Sequence, residues 1–159
     1  MAYDNLASTY VNCGMYKEAR DVLEKLIRLN PRYYEAYSTL GVVYYELGEV
    51  DKAIDYLKDC INFNLTSFKP YFNLAVTFYR EKKYEEALPY IEKAENLASV
   101  FPRVYYLKFF ILYELNRLND AIDCAQKLKE ISPSLYKNIE EKCAKIKRAV
   151  AGQKGITCQ

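Results

Sequence analysis

The sequence predicts an all-α fold built from stacked pairs of helices, and two regularities carry that prediction. Tyrosine and alanine each recur at one constant interval, at Tyr3, Tyr37, Tyr71 and Tyr105 and at Ala19, Ala53, Ala87 and Ala121. Between these markers the apolar residues advance by three or four, which is the period of a helix and not of a strand. Such a repeat indicates short units, each a helix pair that needs its neighbours in order to bury its apolar side.

The second unit shows the pattern most clearly. Its two apolar helix faces consist of Tyr37, Leu40, Gly41, Tyr44 and Leu47, and of Ala53, Leu57, Cys60 and Ile61. Gly48 lies between the two faces, where a residue able to take positive φ ends a helix. Gly41 has no side chain and Ala53 has a small one, so we expect the two helices to approach closely at these positions.

Composition excludes several classes of protein. About half of the 159 residues are apolar and 28% are charged, as in an ordinary globular protein. The sequence contains no apolar run of the ~18 residues that a membrane span needs, and no secretory signal opens it. We therefore expect a soluble, cytoplasmic protein without a membrane span.

The sequence offers little for catalysis or metal binding. It has five cysteines, no CxxC motif and no histidine, so the ligand clusters of a zinc site are missing. Without histidine there is no Ser-His or Cys-His pair, and no glycine-rich phosphate loop occurs. The prediction is a protein that is not an enzyme and has no metal or cofactor, with its thiols buried or half-buried.

Charge is distributed unevenly along the chain. Residues 34–67 carry a net charge of −4, and residues 136–159 carry a net charge of +4. The basic segment could contact nucleic acid or an acidic partner. We favour the simpler interpretation, the solvated face of a closing helix, and expect that nucleic acid is not the partner.

The spacing of the periodic tyrosines, glycines and alanines resembles that of the tetratricopeptide repeat family. The residues of the first repeat that match the family pattern are Tyr3, Leu6, Ala7, Tyr10, Gly14, Tyr16, Ala19 and Pro31. The third repeat departs from the pattern with Glu81 and Lys82 in place of Leu-Gly, and the fourth with Lys108 and Phe109. The resemblance implies a right-handed α-α superhelix, or solenoid, of four helix pairs. Their ranges are 1–33, 34–67, 68–101 and 102–134.

The C-terminal segment predicts one more helix. Apolar residues recur with helical spacing at Leu135, Ile139, Cys143, Ile146 and Val150. An amphipathic helix over 135–150 resembles the capping helix that closes an array of this kind. The last residues, 151–159, contain two glycines and no apolar period, which predicts a flexible tail.

The resemblance also implies a function. Family members typically hold a peptide or helix of a partner protein on a concave face lined by the first helix of each pair. The inward positions carried over from the family give a groove in repeats 2–4: Val42, Tyr45, Lys69, Phe72, Asn73, Val76, Tyr79, Arg80, Arg103, Tyr106, Phe110 and Tyr113. Aromatic side chains anchor interfaces well, and the cations among them could clamp acidic groups of a ligand. The other interpretation is that these rings only pack between neighbouring first helices.

A specialised subset of the family holds a chaperone's C-terminal carboxylate with lysine, asparagine and arginine side chains. That set is incomplete whether the frame begins at the first or the second repeat: Asp4, Ser8, Thr39, Lys69, Asn73 and Ser38, Val42, Asn73, Arg103, Leu107. The sequence therefore does not favour a chaperone-tail adaptor.

One alternative function stays open, a structural or self-assembling scaffold that uses its end faces and convex surface. Tyr3 and Tyr10 would then be partly exposed for self-association, or would rest on a preceding repeat of a longer protein.

Overall fold

The computed structural model of the chain describes residues 2–63 and 66–156. These residues form ten helices and no strand, so the all-α fold class is confirmed. In chain order they are α1 (Ala2–Asn12), α2 (Tyr16–Leu29), α3 (Tyr34–Glu46), α4 (Val50–Phe63), α5 (Phe68–Arg80), α6 (Tyr84–Leu97), α7 (Pro102–Glu114), α8 (Leu118–Ile131), α9 (Pro133–Tyr136) and α10 (Glu140–Ile156). No helix in this part of the chain is both long enough and apolar enough to cross a membrane.

The helices keep the interval of the sequence repeat. The helices α3, α5 and α7 begin at Tyr34, Phe68 and Pro102, the same interval that separates the periodic tyrosines. Each of these three helices has 13 residues. The helices α4, α6 and α8 begin at the same interval from one another and have 14 residues each. The interval of the periodic residues is therefore also the interval between equivalent helices.

The chain divides into two compact bodies. The N-terminal body, Met1–Glu81, contains α1 to α5, and the C-terminal body, Lys82–Gln159, contains α6 to α10. In the N-terminal body α3 packs against α2, α4 and α5. In the C-terminal body α7 packs against α6 and α8, while α9 and α10 pack against α8. Each body has a core formed by the apolar sides of these helices.

The residues that mark the repeat are core residues. The four periodic alanines are fully buried, and three of the periodic tyrosines, at 37, 71 and 105, are nearly so. Two of these tyrosines also donate equivalent hydrogen bonds, each to the carbonyl six residues earlier. The hydroxyl of Tyr37 donates to the carbonyl of Pro31 at 3.1 Å, and that of Tyr105 donates to the carbonyl of Ser99 at 2.8 Å. Each buried ring thereby keeps its polar atom satisfied and ties the first helix to the loop before it.

Gly41 allows the closest approach of α3 and α4. A Cβ atom at this position would lie 2.6 Å from Cγ of Leu57 and 3.1 Å from the carbonyl oxygen of Ala53. The first distance is shorter than any normal carbon–carbon contact, and the second involves backbone that cannot turn away. The sequence-based expectation of a close helix contact at Gly41 and Ala53 agrees with this geometry.

In the fourth repeat, different residues occupy the positions of Leu40 and Gly41. Phe109 stands at the position that Gly41 has in the second repeat, and its side chain is fully buried. Lys108 stands at the position of Leu40 and forms an ion pair with Glu95, and both side chains are largely buried. In the C-terminal body, a large ring and a paired charge therefore occupy the positions that a small and an apolar residue occupy in the second repeat.

The C-terminal segment differs from the prediction of one helix over 135–150. Leu135 lies on α9, Ile139 lies in a turn at residues 137–139, and Cys143, Ile146 and Val150 lie on α10. The backbone tightens there, because the amide of Asn138 donates to Leu135 and that of Ile139 donates to Tyr136, each three residues back. This turn leaves both Tyr136 and Ile139 buried.

Within the predicted flexible tail, 151–159, helix α10 continues through Gly152 and Gly155 to Ile156. Residues 157–159 lie outside the described residues.

Lys82 is the subject of a first prediction. Gly14, Gly48, Lys82 and Asn116 hold the same position in consecutive repeats, and all have positive φ, of 72°, 81°, 59° and 56°. The left-handed conformation costs a side-chain residue about 1–2 kcal/mol, but it costs glycine almost nothing. We expect Lys82→Gly to raise the free energy of unfolding by about 1 kcal/mol in urea titrations. The control is Lys83→Gly, where φ is −92° and no gain is expected. An equal effect of both substitutions would contradict the strained left-handed conformation at Lys82.

Gly41 gives a second prediction. Replacing glycine by alanine inside a helix normally stabilises it by about 1 kcal/mol. At Gly41 the new methyl group would collide with Leu57, so we expect Gly41→Ala to lower the free energy of unfolding by about 1–3 kcal/mol. Because the two effects have opposite signs, a more stable variant in the same urea titration would show that the helices are not in close contact here.

Candidate functional site

The groove residues of the N-terminal body lie on α3 and α5, two helices that pack against each other. We call this face the α3–α5 surface, and its predicted residues are Val42, Tyr45, Lys69, Phe72, Asn73, Val76, Tyr79 and Arg80. Lys69 and Arg80 are exposed, and the other six are half-buried. On α5 the spacing of three and four residues places Lys69, Asn73 and Val76 along one side of the helix. The resemblance thus selects residues that are partly accessible and lie on neighbouring helices.

A small polar cavity lies at the N-terminal ends of α3 and α5. Its volume is about 150 Å³, and its lining residues are Tyr34, Glu35, Ser38, Thr39, Cys60, Ser67, Lys69, Pro70 and Asn73. At its wall the side-chain amide of Asn73 donates to the hydroxyl of Ser38 at 3.2 Å, which joins the two helices. Two predicted site residues, Lys69 and Asn73, therefore contribute to one concavity.

A charged cluster lies at the other end of the α3–α5 surface. The guanidinium of Arg80 donates to Glu46 at 2.6 Å and stacks over the ring of Tyr45, 5.2 Å from its centroid. The hydroxyl of Tyr45 in turn donates to Glu81 at 3.1 Å. The hydrogen bond that Arg80 donates to Glu46 raises the pKa of Arg80, while burial and then the hydrogen bond to Glu81 raise the pKa of Tyr45.

This cluster changes the role expected for Arg80. The sequence places Arg80 to clamp acidic groups of a ligand, but its guanidinium is already paired with Glu46 in the protein. The sequence contains a signal for this pairing, because Glu46 and Arg80 hold the same position in consecutive repeats. By contrast, the ammonium of Lys69 forms no ion pair with any acidic residue in the described part of the chain. Lys69 is therefore the better candidate for steering an acidic ligand.

The groove residues of the C-terminal body, Arg103, Tyr106, Phe110 and Tyr113, all lie on α7. The rings of Tyr106 and Phe110 meet edge to face, with centroids 5.1 Å apart. The ammonium of Lys142, on α10, lies 5.1 Å from the ring centroid of Phe110 and 4.1 Å from that of Tyr113. The side chain of Lys142 thus lies over part of the aromatic face that the sequence predicts to be open.

Sequence reasoning missed this role of Lys142. It assigns the basic residues of the C-terminal segment to a solvated helix face, whereas Lys142 is half-buried. One sequence signal indicates that Lys142 is not fully exposed: it directly precedes Cys143, a buried residue of the apolar spacing. Beside Lys142 lies a cleft of about 790 Å³, here called the α7–α10 cleft. Its lining residues are Tyr113, Glu114, Asn116, Leu118, Asn138, Glu141, Lys142, Lys145, Ile146 and Ala149.

The two tyrosines proposed for self-association have partners inside the protein. The ammonium of Lys25 lies 5.2 Å from the ring centroid of Tyr3, and Tyr10 packs against the core of the N-terminal body. Both are half-buried. The exposed apolar residues at this end are instead Leu6 and Met15, which are 40% and 42% exposed.

Comparison with known protein families identifies the repeat. A model described as TPR repeat matches residues 7–48, and a model described as tetratricopeptide repeat matches residues 34–66 and 68–100. Together the two models cover more than half of the chain. The chain belongs to the tetratricopeptide repeat family. No curated protein sequence matches this tetratricopeptide repeat chain significantly.

Solved structures of tetratricopeptide repeat proteins share the fold. MamA from Desulfovibrio magneticus RS-1 is 19% identical, with a TM-score of 0.74 over 99% of this chain and 96% of that chain. YrrB, described as a TPR protein with an unusual peptide-binding site, is 22% identical, with a TM-score of 0.73 over 88% and 73%. The first TPR of Spaghetti (RPAP3), bound to the HSP90 peptide SRMEEVD, is 21% identical, with a TM-score of 0.67 over 74% and 95%. At these identities the likeness shows the fold alone.

Thiol labelling tests the burial of the cavity wall. Burial raises the pKa of Cys60 to about 11 and that of Cys124 to about 12, whereas Cys13 is exposed. Because the thiolate is the reactive form, we expect Cys13 to react with iodoacetamide at pH 7.5 at least ~100-fold faster than Cys60 or Cys124. Peptide mass spectrometry measures each site, and urea should remove the difference. Rapid labelling of Cys60 in the folded protein would show that its thiol is not buried.

Proposed function

We propose that the chain binds a peptide or helix of a partner protein, and that the α3–α5 surface is its principal contact. The observation that carries the proposal is the polar cavity to which Lys69 and Asn73 contribute, set beside partly accessible apolar residues of the same two helices. A concavity with a few polar groups and an apolar surround is the usual form of a recognition site. The peptide-binding site named for YrrB and the peptide named for Spaghetti support the same class of ligand.

The side chains of this surface suggest how a ligand is held. Asn73 uses one amide hydrogen for Ser38, and its remaining amide groups can pair with the backbone of an extended peptide. Lys69, exposed at the cavity, would attract an acidic group of the ligand. Val42 and Val76 would contribute apolar contact area. The aromatic residues of α7 are proposed as a further contact in the C-terminal body.

Exposed residues at the N-terminal end favour self-association as a second candidate function. Leu6 and Met15 are large apolar side chains that remain about two-fifths exposed, near Tyr3 and Tyr10 in the chain. A scaffold that assembles through this end would show a molecular mass that rises with concentration. In light scattering after size exclusion, Leu6→Gln would then lower the mass, whereas a peptide-binding monomer would keep a constant mass.

Affinity capture with charge-reversed variants tests the principal proposal. Lys69→Glu and Lys58→Glu make the same change of charge at exposed positions, but only Lys69 lines the cavity. We expect wild type and Lys58→Glu to retain the same partner from a native extract. Lys69→Glu should lower its affinity at least ~10-fold in calorimetry with the purified partner.

Circular dichroism and urea titration must first show that both variants are as helical and as stable as the wild type. If Lys69→Glu retains the same partner with unchanged affinity, the α3–α5 surface is not the binding site. The candidate contact surfaces are then the N-terminal end and the aromatic face of α7.

A further inference from the structure

We propose that the α7–α10 cleft is a second binding site, which accepts an acidic side chain flanked by apolar residues of a partner peptide. The inference rests on the proposed function, the binding of a peptide, but it does not depend on the α3–α5 surface. It concerns the C-terminal body alone. The residues that carry it are Lys142, its two aromatic neighbours on α7 and the apolar residues of the cleft.

The ammonium of Lys142 is placed to receive an anion. One side of it faces the rings of Tyr113 and Phe110, with centroids 4.1 Å and 5.1 Å away. It forms no ion pair with a carboxylate in the described residues, and its side chain is half-buried. Aromatic faces stabilise a cation but provide no acceptor for its N–H groups in the way that a carboxylate does. A carboxylate from outside would form charge-assisted hydrogen bonds at a partly desolvated position.

The other lysine of the cleft is already occupied. The ammonium of Lys145 lies 2.7 Å from the carboxylate of Glu141, one turn earlier on α10. The contact with Lys145 also lowers the pKa of Glu141, so this carboxylate stays ionised and paired. Of the two cations in the cleft, Lys142 is therefore the one that no carboxylate pairs with among the described residues.

The cleft also offers an apolar wall and sufficient volume. Leu118 and Ile146 line it beside the ring of Tyr113, and a space of about 790 Å³ accommodates a peptide segment of a few residues. Asn116 and Asn138 supply amide groups at the rim for a peptide backbone. An acidic residue with an apolar neighbour fits both parts of this lining.

The charges of the cleft favour a single carboxylate over a nucleic acid. Two carboxylates, Glu114 and Glu141, line the cleft together with Lys142 and Lys145, so its formal charge is balanced. A chain of phosphates would meet repulsion from the two glutamates and would gain little from one unpaired ammonium. A peptide with one acidic side chain meets less of this repulsion, because it brings a single negative charge that can lie against Lys142.

The test uses two short blocked peptides as probes, acetyl-Gly-Leu-Glu-Leu-Gly-amide and the same peptide with glutamine in place of glutamate. Each is titrated to millimolar concentration into the full chain, and amide shifts on α7 and α10 are followed by NMR. We expect the glutamate peptide to shift the amides around Tyr113 and Ile146. The glutamine peptide should bind at least about fivefold more weakly, which corresponds to one solvent-screened charge pair.

Variants of α10 make the test specific. Lys142→Met keeps an unbranched chain over the rings but removes the charge. It should lower the affinity for the glutamate peptide about fivefold. Lys142→Arg should restore most of the affinity. Lys147→Met removes the same charge from an exposed position of the same helix, outside the cleft, and should bind like the wild type.

Several results would overturn the proposal. They are the absence of shifts with either peptide, equal binding of the two peptides, equal effects of Lys142→Met and Lys147→Met, and stronger shifts of the same amides by an oligothymidine. The Lys69→Glu variant separates this proposal from the preceding one. If that variant binds its partner with unchanged affinity while Lys142→Met binds it about fivefold more weakly, the α3–α5 surface fails and the cleft stands. The reverse result rejects the cleft alone.

Discussion

The close contact between the two helices of a repeat is the constraint on which the structure depends. In the second repeat this contact leaves no room for a methyl group at Gly41, because Leu57 and the backbone of Ala53 already fill the space. The alanines that recur once in each repeat are fully buried, as small residues must be where helices approach closely. A helix pair held in this way presents the rest of its first helix to the neighbouring repeat or to a ligand.

The fourth repeat shows how far this constraint can be relaxed. With Phe109 in place of a small residue, the interior of the C-terminal body must accommodate a ring, and the ring is fully buried. Lys108 enters the same interior only because Glu95 neutralises it, since a charge without a partner is costly away from water. The array thus tolerates large and charged residues where a local partner compensates for them.

The two proposed binding surfaces are distinguished by charged side chains that the fold leaves without a carboxylate partner. Arg80 satisfies Glu46, and Lys145 satisfies Glu141, so neither presents a vacant charge to a ligand. Lys69 and Lys142 differ from them, because no carboxylate pairs with either in the described part of the chain. Lys69 borders a small polar cavity, whereas Lys142 rests on aromatic rings beside a larger cleft. The two proposed surfaces therefore differ in size and in the surroundings of their lysine.

The sequence by itself determined the features that depend on neighbours along the chain. Helical period predicts the helices, and glycine at the turn predicts the left-handed conformation of Gly48. The constant interval places Gly14, Lys82 and Asn116 at the same position of their repeats, and all three adopt this conformation. Side-chain pairing was decided by the tertiary structure, because the partners are far apart in sequence. Lys142 lies over Phe110 and Tyr113 only because α10 folds back toward α7, after a turn at residues 137–139 that periodicity does not reveal. Local patterns record which face of a helix is apolar, but they do not record which distant side chain comes to lie on it.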